Sequence, residues 1–109
     1  MNGYVYLICE VDSYGGEKYK IGETKNDPEK RLKTLKTGNP NEIFVLRKYY
    51  SENYKKIERW LHKKYFAQKT ISKNEFFYLS NEQVISFLED CKEIDKTITF
   101  LKETNHFYK

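Results

Sequence analysis

A small α+β domain, with a central three-stranded, mainly antiparallel sheet and three flanking helices, is the fold class the sequence predicts. Three observations predict it. Alternating or β-branched runs bounded by Gly, Asn and Pro recur within the first fifty residues. Stretches with apolar residues three and four apart interrupt and then follow them. The length of 109 residues, with 39% apolar and 17% aromatic content, suits one domain with one modest core and no disulfide or metal staple.

Residues 3–10 place Val5, Leu7 and Cys9 on one face and Tyr4, Tyr6 and Ile8 on the other, which reads as a half-buried strand. Asp12-Ser13-Tyr14-Gly15-Gly16 supplies a hairpin turn, and Lys18 to Glu23 reads as the returning strand, so Tyr6 and Lys20 fall on neighbouring strands. Asn26-Asp27-Pro28 starts a helix, with Arg31 in its second turn and Leu32 and Leu35 as its buried stripe. Gly38-Asn39-Pro40 ends it, because a left-handed residue is followed by a ring that cannot continue the helix. Glu42 to Tyr50, rich in Ile, Phe, Val and Leu, is the third strand.

Ser51 is expected to cap a helix reaching about Phe66, with Tyr54, Ile57, Leu61 and Tyr65 as its core face. Glu58 and His62 are four apart and share a flank beside that stripe, with Lys55 a turn earlier, whereas Trp60 points away. A loop containing Lys69, Ser72, Lys73 and Asn74 leads to Glu75–Leu79, a short aromatic strand or extended edge. Ser80 and Gln83 form a capping box before a helix whose core face is read as Val84, Ile85, Leu88, Cys91, Ile94, Ile98 and Leu101. The last residues, 105–109, are expected to fray. The whole of 1–109 reads as one domain, without repeat or linker.

No apolar run approaches the roughly 20 residues of a membrane span, and the start lacks the features of a signal peptide, so a soluble intracellular protein with no membrane partner is expected. Cys9 and Cys91, far apart and without CxxC spacing, read as reduced core thiols. The net charge of +4 is uneven. Residues 18–36 carry seven Lys/Arg against three acids, and 55–73 carry seven against Glu58 alone. Two such blocks predict a patch that attracts a phosphate backbone by counterion release.

Within those blocks lie Lys20, Arg31, Glu58 and His62, and ahead of them Tyr6, the residue types that phosphoryl chemistry requires. A phenol or amine manages a proton, a guanidinium neutralises phosphate, and a carboxylate holds a hard divalent cation. Tyr4, Lys25, Lys30, Lys33, Asn39, Lys55 and Asn74 are the accompanying candidates for contact with nucleic acid.

On these residues the chain resembles the GIY-YIG nuclease superfamily, in its small phage and microbial branch of T5orf172-like or Mug113-like domains. Tyr4-Val5-Tyr6 stands where that family has Gly-Ile-Tyr, and Lys20-Ile21-Gly22 where it has Tyr-Ile-Gly. Arg31 stands at the helix arginine and Glu58 at the metal-binding glutamate. Lys36-Thr37-Gly38-Asn39-Pro40 and Asn74-Glu75-Phe76-Phe77 look like the branch's Thr-Gly-Asn-Pro and Gly-Glu-Trp-Phe segments, and the likeness covers roughly residues 3 to 90. Tyr4 replaces the first glycine, and Lys20 replaces the second tyrosine.

The resemblance implies an endonuclease that hydrolyses DNA phosphodiesters with one Mg²⁺ or Mn²⁺ ion at Glu58. Arg31 would contact the non-bridging oxygens, and either Tyr6 or Lys20 would activate water. His62 would orient Glu58, contact phosphate or cap the core. Selectivity would come from DNA shape, double-stranded or branched, from a recognition partner protein, or from a homo-oligomer. The alternative is a non-catalytic nucleic-acid-binding module of the same fold.

Overall fold

The computed structural model describes residues 1–68 and 76–104. The element order is β1 (Gly3–Val11), β2 (Glu17–Thr24), α1 (Pro28–Lys36), β3 (Glu42–Ser51), α2 (Tyr54–Lys64), a 3-10 turn (Phe66–Gln68), β4 (Phe76–Phe77) and α3 (Asn81–Thr104). The strands pair antiparallel in one sheet, ordered β3-β1-β2-β4. The α+β class holds, and the aromatic segment joins the three long strands as an edge strand seen at Phe76–Phe77, its expected first residue Glu75 lying outside the described residues.

Local chemistry sets the element ends. Asp12 accepts from the backbone N–H of Tyr14 at 2.8 Å and of Gly16 at 2.9 Å, closing the β1–β2 hairpin. Asp27 caps α1 by accepting from the Glu29 N–H at 3.0 Å, with Pro28 as the first helical residue. Gly38, at φ +74°, reverses the chain after the helix. Ser80 and Gln83 exchange their hydrogen bonds at 2.9 and 3.2 Å, completing the capping box of α3.

Three expectations are corrected. β1 is buried on both faces rather than half-buried, because it is a central strand. Val5, Leu7 and Cys9 pack with α2 and α3, while Tyr6 and Ile8 pack with Leu32, Leu35, Ile43 and Val45, placing α1 on the second face. Ser51 belongs to β3 and does not cap α2 directly. It accepts from the Asn53 N–H at 2.9 Å and donates to Asp95 of α3 at 3.0 Å, and Asp95 also accepts from Tyr49 and Asn53 at 2.7 Å each. That carboxylate ties α3 to the β3–α2 junction. In α3 the buried residues are Phe87, Cys91 and Ile98, whereas Ile85 is 72% exposed and Leu88 also faces outward. The helical phase runs through Phe87, three residues after Val84 and four before Cys91, and leaves Ile85 and Leu88 outside it.

Cys9 and Cys91 are buried free thiols, and burial, reinforced by Asp90 and Asp95, pushes Cys91 up to about 12. Among the described residues, no helix is long and apolar enough to cross a membrane.

Glu10 is a buried carboxylate at the far end of β1. It accepts from the side-chain amides of Asn39 and Asn41, each at 3.0 Å, and meets Lys18 Nζ at 3.3 Å. Burial alone raises its pKa, but the hydrogen bonds from Asn41, Asn39 and Lys18 outweigh it and hold the group below 4.5. A carboxyl depressed by folding contributes stability that is full above the unfolded pKa and is lost as pH falls through the folded one. Urea midpoints are therefore expected to decline below about pH 4.5, more steeply in the parent than in Glu10→Gln. Glu10→Ala, which strands two amides, is expected to cost about 1–3 kcal/mol at neutral pH. Equal acid sensitivity in parent and Glu10→Gln would remove Glu10 from that account.

Candidate functional site

Tyr6 and Lys20 project from the same face of the sheet. Tyr6 lies opposite Gly22 on β2 and Lys48 on β3, while Lys20 lies opposite Ile8 and Phe76. The Tyr6 ring is only 2% exposed. It lies across Gly22, where an added Cβ would approach Tyr6 Cε1 to 2.9 Å and the ring's phenolic end closer still. Glycine is thus the residue that lets this phenol lie flat over the neighbouring strand.

Glu58 and His62 reach the same part of β2 from the other side. The apolar stripe Tyr54, Ile57, Leu61 and Tyr65 seats α2 on the core and turns the Glu58–His62 flank toward β2. His62 Nε2 lies 2.9 Å from the Ile21 carbonyl and 3.5 Å from Glu58 Oε2. A carbonyl only accepts, so Nε2 carries the proton in that contact. The ring also meets Phe77 edge-on at 5.1 Å between centroids. His62 therefore joins α2 to the residue between Lys20 and Gly22, next to Lys20, which pairs with Phe76 of β4. Both side chains keep some access to solvent, 15% for His62 and 19% for Glu58.

Arg31 is exposed on α1, next to the buried Leu32 that packs against the Tyr6 cluster. It makes no ion pair among the described residues. The start of α1 is held over this face by Lys48 and Asp27, 3.2 Å apart. Tyr6 and Lys20 thus lie on one face of the sheet beside residues 20–22 of β2, Glu58 and His62 approach the same residues from the opposite face, and Arg31 sits on the helix that covers Tyr6.

The accompanying residues divide. Lys25, Lys30 and Lys33 are exposed on or just before α1, and exposed Lys55 stands 5.9 Å from the Tyr54 ring. Tyr4 is half-buried against Tyr50, with centroids 4.9 Å apart and Lys48 Nζ 5.9 Å away. Asn39 has a structural task instead of an open one. Its amide donates to Glu10 and its carbonyl accepts from the Asn41 N–H at 2.9 Å, which seats the loop after α1. Asn74 lies outside the described residues. Sequence reasoning missed Lys48, although a lysine at an alternating position of a strand otherwise rich in apolar residues was a signal for it.

A family model for the T5orf172 domain matches residues 3–92. The chain belongs to the T5orf172 domain family. This domain occurs in proteins associated with GIY-YIG-like and phage nucleases, which gives the chain a nuclease-related or DNA-binding character. No curated protein and no solved structure matches it significantly. In this T5orf172 domain the matched span runs from β1 into α3 and contains every residue named above for the site.

Whether the site suits a divalent ion turns on its donors. No three His, Cys, Asp or Glu side chains gather as a metal cage among the described residues. Glu58 offers one part-exposed carboxylate beside a basic surface. That donor set fits Mg²⁺ or Mn²⁺, which characteristically take one or two carboxylates and complete their shell with water and substrate phosphate.

Proposed function

We propose that this T5orf172 domain is a metal-dependent endonuclease acting on DNA phosphodiesters. The observation that carries the reading is the His62–Ile21 contact, which joins the Glu58–His62 pair to the Lys20–Gly22 strand and hence to Tyr6, across 41 residues of chain. In this reading Glu58 holds the ion. Mg²⁺ or Mn²⁺ there supplies Lewis-acid stabilisation of the charge that develops on the departing oxygen. His62 orients Glu58 and fixes it to the sheet. Arg31, exposed and without an ion pair among the described residues, offers a planar fork to the non-bridging oxygens. Lys20, half-buried on the Tyr6 face, positions the attacking water, with Tyr6 beside it. Exposed Lys25, Lys30, Lys33 and Lys55 hold the backbone, with Lys48 as a further cation.

Supercoiled and branched DNA incubated with Mg²⁺ or Mn²⁺, with and without excess chelator, tests the reading directly. Nicking that the chelator abolishes is the expected result. Equal activity in chelator would remove the ion, and no cleavage of either substrate under binding conditions would favour a non-catalytic DNA-binding module. The near-complete burial of Tyr6 is the observation that favours that second reading.

Two substitution sets refine the roles. Arg31→Lys keeps the charge but loses the fork, so turnover is expected to fall about tenfold or more with affinity changed far less. Proportional loss of both would make Arg31 a simple phosphate anchor. Tyr6→Phe and Lys20→Met separate the two candidates for managing the water proton. Given their exposures, Lys20→Met is expected to be the more damaging. Parent-like rates in both variants would reduce the two motifs to sheet structure.

A further inference from the structure

The flank of α2 opposite Glu58 and His62 carries Lys56, Arg59, Trp60 and Lys63, spaced three and four residues apart. With Ile98, Leu101 and Lys102 of α3 they line a groove of about 250 Å³. Its floor is apolar, since Ile98 is buried, and Trp60 is 36% exposed. Among the described residues four cations line it and no carboxylate does. None of the four forms an ion pair among the described residues, and Lys102 Nζ is held in place by the Asn53 side-chain carbonyl. A second depression shares Lys56, Arg59 and Lys102 and adds Lys55 and Glu52, so the positive strip continues round α2 toward the Glu58 flank.

We propose that the α2–α3 groove is a track for single-stranded nucleic acid, in which one unpaired base stacks on Trp60 while Lys56, Arg59, Lys63 and Lys102 hold the adjoining phosphates. The proposal rests on the nucleic-acid reading above and deepens it by naming the form of the ligand. An indole among cations that form no ion pair among the described residues matches a ligand that carries a π-face and phosphate charge together. A duplex keeps its bases stacked on one another and withholds that face, and an acidic peptide brings the charge without it. The strip past Lys55 gives the strand a way to the candidate site.

Trp60 is the only tryptophan in the chain, so its emission reports this groove. The full chain is titrated in chelator with a 5′-labelled oligothymidylate of about 12 nucleotides, a matched duplex and poly-glutamate, following label anisotropy and tryptophan emission in parallel. The single strand is expected to quench Trp60 as it binds, with little quenching by the other two. Arg59→Gln with Lys63→Gln is expected to weaken single-strand binding about tenfold and to lower the slope of log K against log salt by about 1.4, two contacts at about 0.7 each. Trp60→Phe is expected to cost about fivefold or more. Binding by anisotropy with unchanged emission, or an unchanged salt slope in the double variant, overturns the groove while leaving nucleic-acid binding intact. Equal quenching by the duplex overturns the single-strand assignment, and equal quenching by poly-glutamate overturns the nucleic-acid one. Absence of binding to either oligonucleotide overturns the groove and the underlying reading together.

Discussion

Glu58→Ala is expected to lower DNA cleavage in saturating Mg²⁺ by about a thousandfold or more while DNA binding is retained or slightly strengthened. The size follows from what the carboxylate is proposed to hold, because a bound ion contributes several kcal/mol to a charged transition state and each 1.4 kcal/mol is tenfold in rate. The fold should tolerate the change. Glu58 stands on the flank of α2 outside the buried stripe, and the 2.9 Å contact of His62 with the Ile21 carbonyl does not pass through it. Removing a negative charge beside a phosphate backbone also relieves repulsion, so binding gains rather than loses. Single-turnover cleavage and anisotropy on the same preparations separate these effects. Parent-like turnover in Glu58→Ala sinks the assignment of this residue as ligand.

Gly22→Ala is the substitution expected to do most harm for the fewest atoms added. The new Cβ would press on the phenolic end of Tyr6, and that ring is held among Ile8, Leu32 and Ile43 beneath α1. Overpacking of this kind costs about 1–3 kcal/mol, because a ring confined on all sides moves only with its neighbours. Urea denaturation should show the loss. In a Tyr6→Val background the obstacle is gone, so the penalty should largely vanish, giving a double-mutant coupling of about 1 kcal/mol or more. Additive effects of the two substitutions would mean that the Tyr6–Gly22 contact does not carry the glycine requirement. Lost cleavage in Gly22→Ala, beyond what its stability explains, would further tie the position of Tyr6 to the chemistry.

Capping residues and periodicity made much of the fold legible. Asp27, Pro28 and Gly38 mark the ends of α1, and Ser80 and Gln83 start α3, because each acts on backbone within a few residues of itself. Ser51 misled for the opposite reason. Its hydroxyl does serve the start of α2, through the Asn53 N–H, but Asp95, 44 residues away, draws it into a junction that no local pattern announces. Ile85 and Leu88 misled similarly, since several apolar phases fit a 24-residue helix and only the partner surface selects one.

The ordered motifs, the two basic blocks and the alternation of β1 were determined by sequence alone, since residue type, spacing and charge are properties of the chain before it folds. Four matters were left to tertiary structure. These are the burial of Tyr6 under α1, the task of Asn39 at Glu10, the meeting of His62 with Ile21, and which element, α3, the Trp60 flank of α2 faces. Each depends on which surfaces approach one another across tens of residues. That choice is made by the burial of apolar area summed over the whole core, which no single segment encodes.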